Sequence, residues 1–506
     1  MTYTKASWIG LAVPAALGVL GVGVAVAWVL SGPGAPFELR GRWEGGTDVA
    51  AVPPGPPGVF TKGAGEPAEN IPGAWTQFLG PKRNGVSMDF TVLAERWPAG
   101  GPPVVWSVDL GPGHAGPIVY DGRVFILDYE AADDKAKQGD VLRCLSLADG
   151  KEIWRYWYAV PLADDHGISR TVPAIADDYV VTFGPSCHAM CLDALTGDYQ
   201  WGMSLVGRYQ TRVPEWYASQ CPLIEEGRAI IATGGRKLMI AVYLAPEDQG
   251  TPTIVWEVDN PLPGKGSQGL QITHSSVTAM TFKGKRVYLY CTTKGVVGVG
   301  EEQTDEGEMR GKLLWRYANW RPGINAASPV VLDGERFVVT AAEGALVLKM
   351  VQGPKGQIGV EEVARTRARV LSSYHQTPIL DGGYLYVVLS QKAGSRRGQL
   401  ACLDVRGDEI TTLWTSGRDD RFRWGPYVKA GDRMLLLHDE TGELTMARVS
   451  PDGYTRLARA KLLSGGDAWA PMALVGGRLL LRDVTRMICV DLRANRSAPA
   501  GAKHTE

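Results

Sequence analysis

The chain has 506 residues, 45% of them hydrophobic, with 63 glycines and a formal net charge of −1. Such a composition belongs to a turn-rich globular protein with enough apolar material for a sizeable core. The near-neutral balance, with no basic cluster or recognition motif, leaves no electrostatic footprint for nucleic acid, which is not expected as a partner; Arg365, Arg367 and Arg369 alternate on one strand face and read as a solvated edge.

From Ala6 to Leu30 the chain runs 25 residues without a charge, after Lys5. That length can cross a hydrocarbon core of about 30 Å as a helix. A cleavable signal has a shorter apolar region of roughly 7 to 15 residues, although Ala25-Val26-Ala27 has the form of a cleavage site. Residues 1–30 are therefore expected to be a membrane anchor or uncleaved signal, holding the rest on the extracytoplasmic, periplasmic side. No cysteine precedes Cys144, so a lipoprotein anchor is not expected. Residues 31–73 are rich in Gly, Pro and Ala, including Pro53-Pro54-Gly55-Pro56-Pro57, and read as a flexible spacer.

From His114 onward a phrase recurs eight times: a short apolar strand, a turn of Asp-Gly type, and a second apolar strand. The turns include Asp121-Gly122, Asp177-Asp178, Glu226-Gly227, Asp333-Gly334, Asp381-Gly382-Gly383 and Gly476-Gly477. The first strands open at Pro117, Pro173, Pro222, Val277, Pro329, Pro378, Pro426 and Pro471, at spacings of 45 to 56 residues. Proline suits a strand's first residue, and these turns are strong hairpin signals. A hairpin-built repeat of this length signifies a propeller or solenoid, whose units bury their faces only against neighbours.

A third strand and a fourth strand carrying tryptophan complete most copies, with Trp154, Trp201, Trp256, Trp315 and Trp414 at one phase. The copy opening at Pro471 reaches Met487–Leu492 and lacks its tryptophan strand, which appears before the first copy as Val104–Leu110 with Trp106. The expectation is an all-β, eight-bladed β-propeller over residues 74–495, its last blade assembled from both ends so that no sheet edge stays open. Residues 496–506 are expected to be a disordered tail. The tryptophans are read as blade-to-blade packing.

Cys144, Cys191, Cys402 and Cys489 share one repeat phase and read as buried free thiols acting as small apolar fillers. Cys187, His188 and Cys191 lack the spacing of a metal knuckle, and no metal ligands are assigned. Asp164-Asp165-His166, in the connection between the first two copies, reads as a solvated turn. No nucleophile elbow, phosphate loop or zinc-protease helix is present, and no catalytic residue is assigned.

Three residues before the opening positions stand His114, Arg170, Ser219, His274, Ala326, His375, Arg423 and Ala468. Three of the seven histidines thus share one phase. First strands of a propeller line the central channel, so His114, Arg170, His274 and His375 are predicted to converge at one channel mouth. Asn325, Gln220, Gln376, Trp424 and Trp469 should lie close by, with Asp467 the main acidic group. Convergent polar and aromatic groups in a concavity suit a ligand. The alternative is that they hydrogen-bond loop carbonyls and water.

The strand, turn and Gly-Lys-x-x-Trp wording, seen at Gly150-Lys151-Glu152-Ile153-Trp154, resembles the pyrroloquinoline-quinone (PQQ)-type repeat of quinoprotein dehydrogenases and BamB-type propellers. The stretch Trp75-Thr76-Gln77-Phe78-Leu79-Gly80-Pro81-Lys82-Arg83-Asn84-Gly85-Val86-Ser87 is similar to the lead-in of PQQ-binding-like β-propeller repeat proteins of planctomycete-type bacteria. The resemblance spans roughly residues 75 to 495 and implies fold more than activity. Its BamB-type branch implies a non-enzymatic scaffold binding a protein or peptide partner, here tethered to the membrane through residues 6–30. Its quinoprotein branch implies PQQ and Ca²⁺, with a vicinal disulfide, oxygen ligands to calcium and an aspartate base. Neither cofactor is assigned, because no adjacent cysteine pair occurs and Asp467 alone cannot serve as both ligand and base. A small-molecule or metal sensor at the histidine-lined mouth is the remaining alternative.

Overall fold

The computed structural model of the protein describes residues 58–163, 167–262 and 269–494. The expected membrane segment 6–30, most of the spacer, Asp164-Asp165-His166 and the tail 496–506 lie outside them. Among the described residues no helix is long and apolar enough to cross a membrane.

Eight antiparallel sheets follow one another as blades. Their innermost strands are Ile118–Tyr120, Ala174–Ala176, Leu223–Glu225, Thr278–Phe282, Val330–Val331, Ile379–Asp381, Tyr427–Ala430 and Ala473–Val475. Each leads through a tight turn into the second strand of its blade. At Asp121-Gly122 both turn residues have positive φ (45° and 69°), the conformation that matches the twist of a hairpin. Blade 5 departs from this: Asp333 Oδ1 instead accepts from the backbone N–H groups of Glu335 and Arg336 in a longer loop.

The ring closes as expected. Val104–Asp109 pairs antiparallel with Arg486–Asp491, Trp106 opposite Cys489 and Asp109 opposite Arg486. Arg482, fully buried in blade 8, reinforces the seam by donating to the carbonyls of Gly111, Ala115, Asp483 and Val484. Its guanidinium is pushed down to about 10 by burial. Nothing in a strand phrase of leucines and arginines separates this buried cation from its exposed neighbours.

The tryptophans cross between sheets. Nε1 of Trp106 donates to Leu147 O of blade 1, that of Trp201 to Leu244 O of blade 3, and that of Trp414 to Ser450 O of blade 7. These three indoles fill interblade spaces and satisfy their one donor there. All seven cysteines are free and buried. Burial pushes the Cys489 thiol up to about 12.

The end of the segment expected to be a spacer is docked. Val59–Lys62 forms a fifth strand on blade 1, pairing with Glu152–Ala159 so that Val59 faces Trp157 and Lys62 faces Trp154. An exposed outer strand offers unpaired N–H and C=O groups, and this short run covers them. Its four exposed residues carry no core pattern, which is why composition concealed it.

Candidate functional site

The loops that feed the innermost strands are tied to one another around the ring. In blades 3 to 6 the residue just before the opening position presents a small polar atom to the blade before it. Val172 N–H donates to Cys221 Sγ, Cys221 N–H to Ser276 Oγ, Ser276 N–H to Ser328 Oγ, and Ser328 N–H to Thr377 Oγ1. This belt, running from blade 2 to blade 6, holds the residues two positions earlier at a fixed radius. At the seam the equivalent residue is Gly116, where a Cβ would lie 2.7 Å from Pro471 O.

On this scaffold the mouth forms a cavity of about 210 Å³. His114, Arg170, His274, His375, Trp424, Asp467 and Trp469, all predicted, line it. Asn325 does not. It is buried beside the mouth, where Oδ1 accepts from Trp320 Nε1 at 2.9 Å and its carbonyl accepts from His274 N–H at 3.0 Å. Gln220 is likewise structural, exchanging two hydrogen bonds with the Ala232 backbone.

One wall is a continuous arc of rings. His114 stacks on Trp469 at 3.7 Å, Trp469 meets His375 at 4.6 Å, His375 meets Tyr374 at 4.5 Å, and Tyr374 stacks on Trp424 at 5.4 Å. The Arg170 guanidinium lies 5.5 Å from the Trp469 ring centre and that of Arg423 5.1 Å from Trp424. Gln376 Nε2 donates to the backbone carbonyls of Trp424 and Trp469, tying the two loops that carry these indoles. Across the mouth Trp216 tilts over His274, whose Nδ1 shares a hydrogen bond of 3.1 Å with Ser219 Oγ.

Burial, then the charge of Arg170, holds His274 down to about 4. Burial, then Arg170 and His274, holds His375 down to about 3. Both imidazoles are therefore neutral near pH 7. Trp216, Tyr217, Arg423 and Asp467 adopt positive φ (59°, 69°, 51° and 66°), an uncommon conformation for such side chains and one that concentrates at functional loops.

Sequence reasoning missed Trp216, Tyr374 and the floor residue Phe78. Tyr374 and Trp216 stand beside or near phase positions, and widening the phase by a few residues would have found them. Phe78 had no such signal, since it belongs to no repeat. It arrives on the lead-in segment 75–87, which crosses the far end of the channel. Trp75 pairs with Val119, Thr76 O accepts from Ile175 N–H, and Arg83 donates to Pro222 O and Val277 O, both at 3.0 Å. Lys429 N–H then donates to Gly85 O. The segment thus satisfies backbone groups on the inner strands that a bare channel would leave to water. Phe78 lines both the mouth cavity and a second cavity of about 490 Å³ beneath it.

A calcium–quinone site fits these residues poorly. The cavity falls below the roughly 300–1,000 Å³ of sites that enclose larger organic ligands. Trp469 already carries His114 on a face, and among the described residues Asp467 is the one lining carboxylate and no group of three His, Cys, Asp or Glu could hold a metal.

The family model described as outer membrane protein assembly factor BamB matches residues 100–205 and 137–416. None of the curated proteins compared matches the sequence. Among solved structures, quinohemoprotein alcohol dehydrogenase from Comamonas testosteroni is 12% identical with a TM-score of 0.53, over 86% of this chain and 82% of that one. A europium-containing methanol dehydrogenase is 12% identical with a TM-score of 0.52, over 83% and 90%. BamB from Moraxella catarrhalis is 13% identical with a TM-score of 0.49, over 77% and 99%. At these identities the likeness is one of fold.

Proposed function

The chain belongs to the BamB family of PQQ-type repeat propellers, and from that premise we propose that it is a non-enzymatic scaffold binding a protein or extended peptide at its channel mouth. The observation that carries this reading is the collar of half-buried Trp216, Tyr374, Trp424 and Trp469 with Arg170 around a blind cavity. Trp, Tyr and Arg are the side chains that dominate protein–protein binding energy when they line a pocket. His114, His274 and His375 pack against these indoles and hold the rings rigid, so little ordering entropy is lost on binding. The donor set argues against a quinoprotein dehydrogenase, and the same proposal places the propeller outside the cytoplasm, tethered through residues 6–30.

The test is affinity capture of the full chain from detergent-solubilised membranes. A stoichiometric partner should be recovered with the wild type and lost with Trp424→Ala/Trp469→Ala, while Leu413→Ala on the outer strand of blade 6 retains it. Recovery of the propeller alone, or of a partner indifferent to the mouth substitutions, would sink the reading.

A further inference from the structure

We infer that the face opposite the mouth rests on a lipid bilayer, with Phe90 and its neighbours Met88 and Val92 set among the headgroups and upper acyl chains. This rests on the proposed tether through residues 6–30 and is independent of what the mouth binds.

Along Met88-Asp89-Phe90-Thr91-Val92 exposed and half-buried residues alternate, as on an extended chain, but with the usual polarity reversed. The polar side chains turn inward. Asp89 Oδ2 accepts from Gly477 N–H at 3.0 Å, and Asp89 Oδ1 accepts from Thr91 N–H and Thr91 Oγ1 at 2.9 and 2.7 Å. Both flanks are pinned, Ser87 N–H donating to Lys429 O and Ala94 N–H to Leu492 O. The fold thereby holds Phe90 95%, Val92 73% and Met88 48% exposed. A run that ties its polar side to its own fold and offers its apolar side to solvent marks a contact surface.

Gly477 belongs to the turn joining the first two strands of blade 8. First strands open at the mouth and end at such turns, so the run lies on the opposite face. Val104, also exposed, begins the closing strand at the same end, where Pro103 O accepts from Asp491 N–H and Gly477 O from Leu492 N–H.

Shape selects lipid over protein. A phenylalanine 95% exposed stands on a projection, because a groove would cover its flanks. Protein anchors sit close-packed within complementary patches of about 800 Å² per partner, which a bare projection does not provide. A bilayer asks for no complementary shape, only apolar area at the headgroup–acyl boundary. Lys82 and Arg96, both exposed, flank the run in sequence and suit anionic headgroups, while Glu95 is paired with Arg433 and Arg448 at 2.7 Å. Residues 31–57 span at most about 95 Å at roughly 3.5 Å per residue. Such a tether makes the contact intramolecular, at an effective concentration up to the order of mM, so a weak apolar contact suffices.

Proteoliposomes of phosphatidylcholine and phosphatidylglycerol, with and without nitroxide on the upper acyl chains, test this with the full chain. All seven native cysteines are buried, so a fluorescent maleimide marks only an introduced thiol. One reporter is Met88→Cys and the other Asp133→Cys, in the exposed mouth-side loop after the second strand of blade 1. The Met88→Cys label should be quenched at least about twofold more, as burial roughly 5–10 Å into the headgroup–acyl boundary requires. Adding Phe90→Asp should abolish that excess and leave the circular dichroism unchanged, because so exposed a ring contributes no packing. Equal quenching at the two sites, or an excess that survives Phe90→Asp, overturns the inference. So does a label at position 88 shielded from water without acyl-chain quenching, which assigns the patch to a protein. If vesicles retain the chain through alkaline carbonate while that label stays unquenched, the tether stands and the inference falls. Quenching there in a chain that alkaline carbonate strips from the vesicles does the reverse.

Discussion

The two ends of the channel are built on different principles. The mouth is assembled from equivalent positions of successive repeats, so the belt of Cys221, Ser276, Ser328 and Thr377 recurs from blade to blade and chemical variety enters one residue at a time. The far end is closed by a segment outside the repeats, in which Trp75, Phe78 and Arg83 each meet different blades. Rotational repetition can place many groups at one radius, but it cannot fill the axis. A single non-repeated strand of chain can. The mouth should therefore answer to substitution in binding, and the closed end in stability.

The largest effect expected from that contrast is at the closed end. Trp75 is 2% exposed, and Trp75→Ala should cost about 3–5 kcal/mol in urea or guanidinium unfolding. Partner capture by the folded fraction should remain. At the mouth, Trp469→Ala should weaken capture by tenfold or more, about 1.4 kcal/mol, with a stability change smaller than that of Trp75→Ala. Equal stability losses at the two ends would break the comparison.

Acid should distinguish them further. His274 and His375 titrate at about 4 and about 3 when folded, below the value of about 6.5 for an unfolded histidine. Between those values the unfolded chain holds more protons. Their contribution to stability is thus fully present above about pH 6.5 and is lost as pH falls toward the folded values. His375→Gln should flatten the fall in unfolding free energy between pH 6.5 and 4.5 by up to about 1 kcal/mol per pH unit. An unchanged slope would mean that the imidazole is solvated.

Asp140, buried in blade 1, has the opposite sign. Burial raises it to about 7, against a hydrogen bond of 2.8 Å from Tyr158 that favours its charged form. Folded above its unfolded value, it stabilises fully below about pH 4 and loses that contribution as pH rises through about 7. Asp140→Asn should remove this decline, seen as a smaller stability difference between pH 5 and pH 8. The hydrogen bond from Tyr158 already offsets part of the desolvation in that value.

Much of this was legible beforehand. Hairpin turns such as Asp121-Gly122, opening prolines and the displaced Trp106 strand are local signals repeated often enough to establish eight blades and their closure. The mouth was legible because repeat phase converts directly into radius and face, which brought His114, Arg170, His274 and His375 together. Asn325 shared the neighbourhood yet turned into the wall, since phase places a backbone and does not aim a side chain. Val59–Lys62 and the path of residues 75–87 had no periodicity to betray them.

What the amino-acid order determined by itself was the ring, because every strand, turn and interblade indole is specified within one repeat and its neighbour. What only the tertiary structure decided was the axis: which rings stack and how a non-repeated segment closes the channel. Those contacts join residues up to hundreds of positions apart, as Arg83 does in reaching Val277, and no local pattern encodes an encounter of that range.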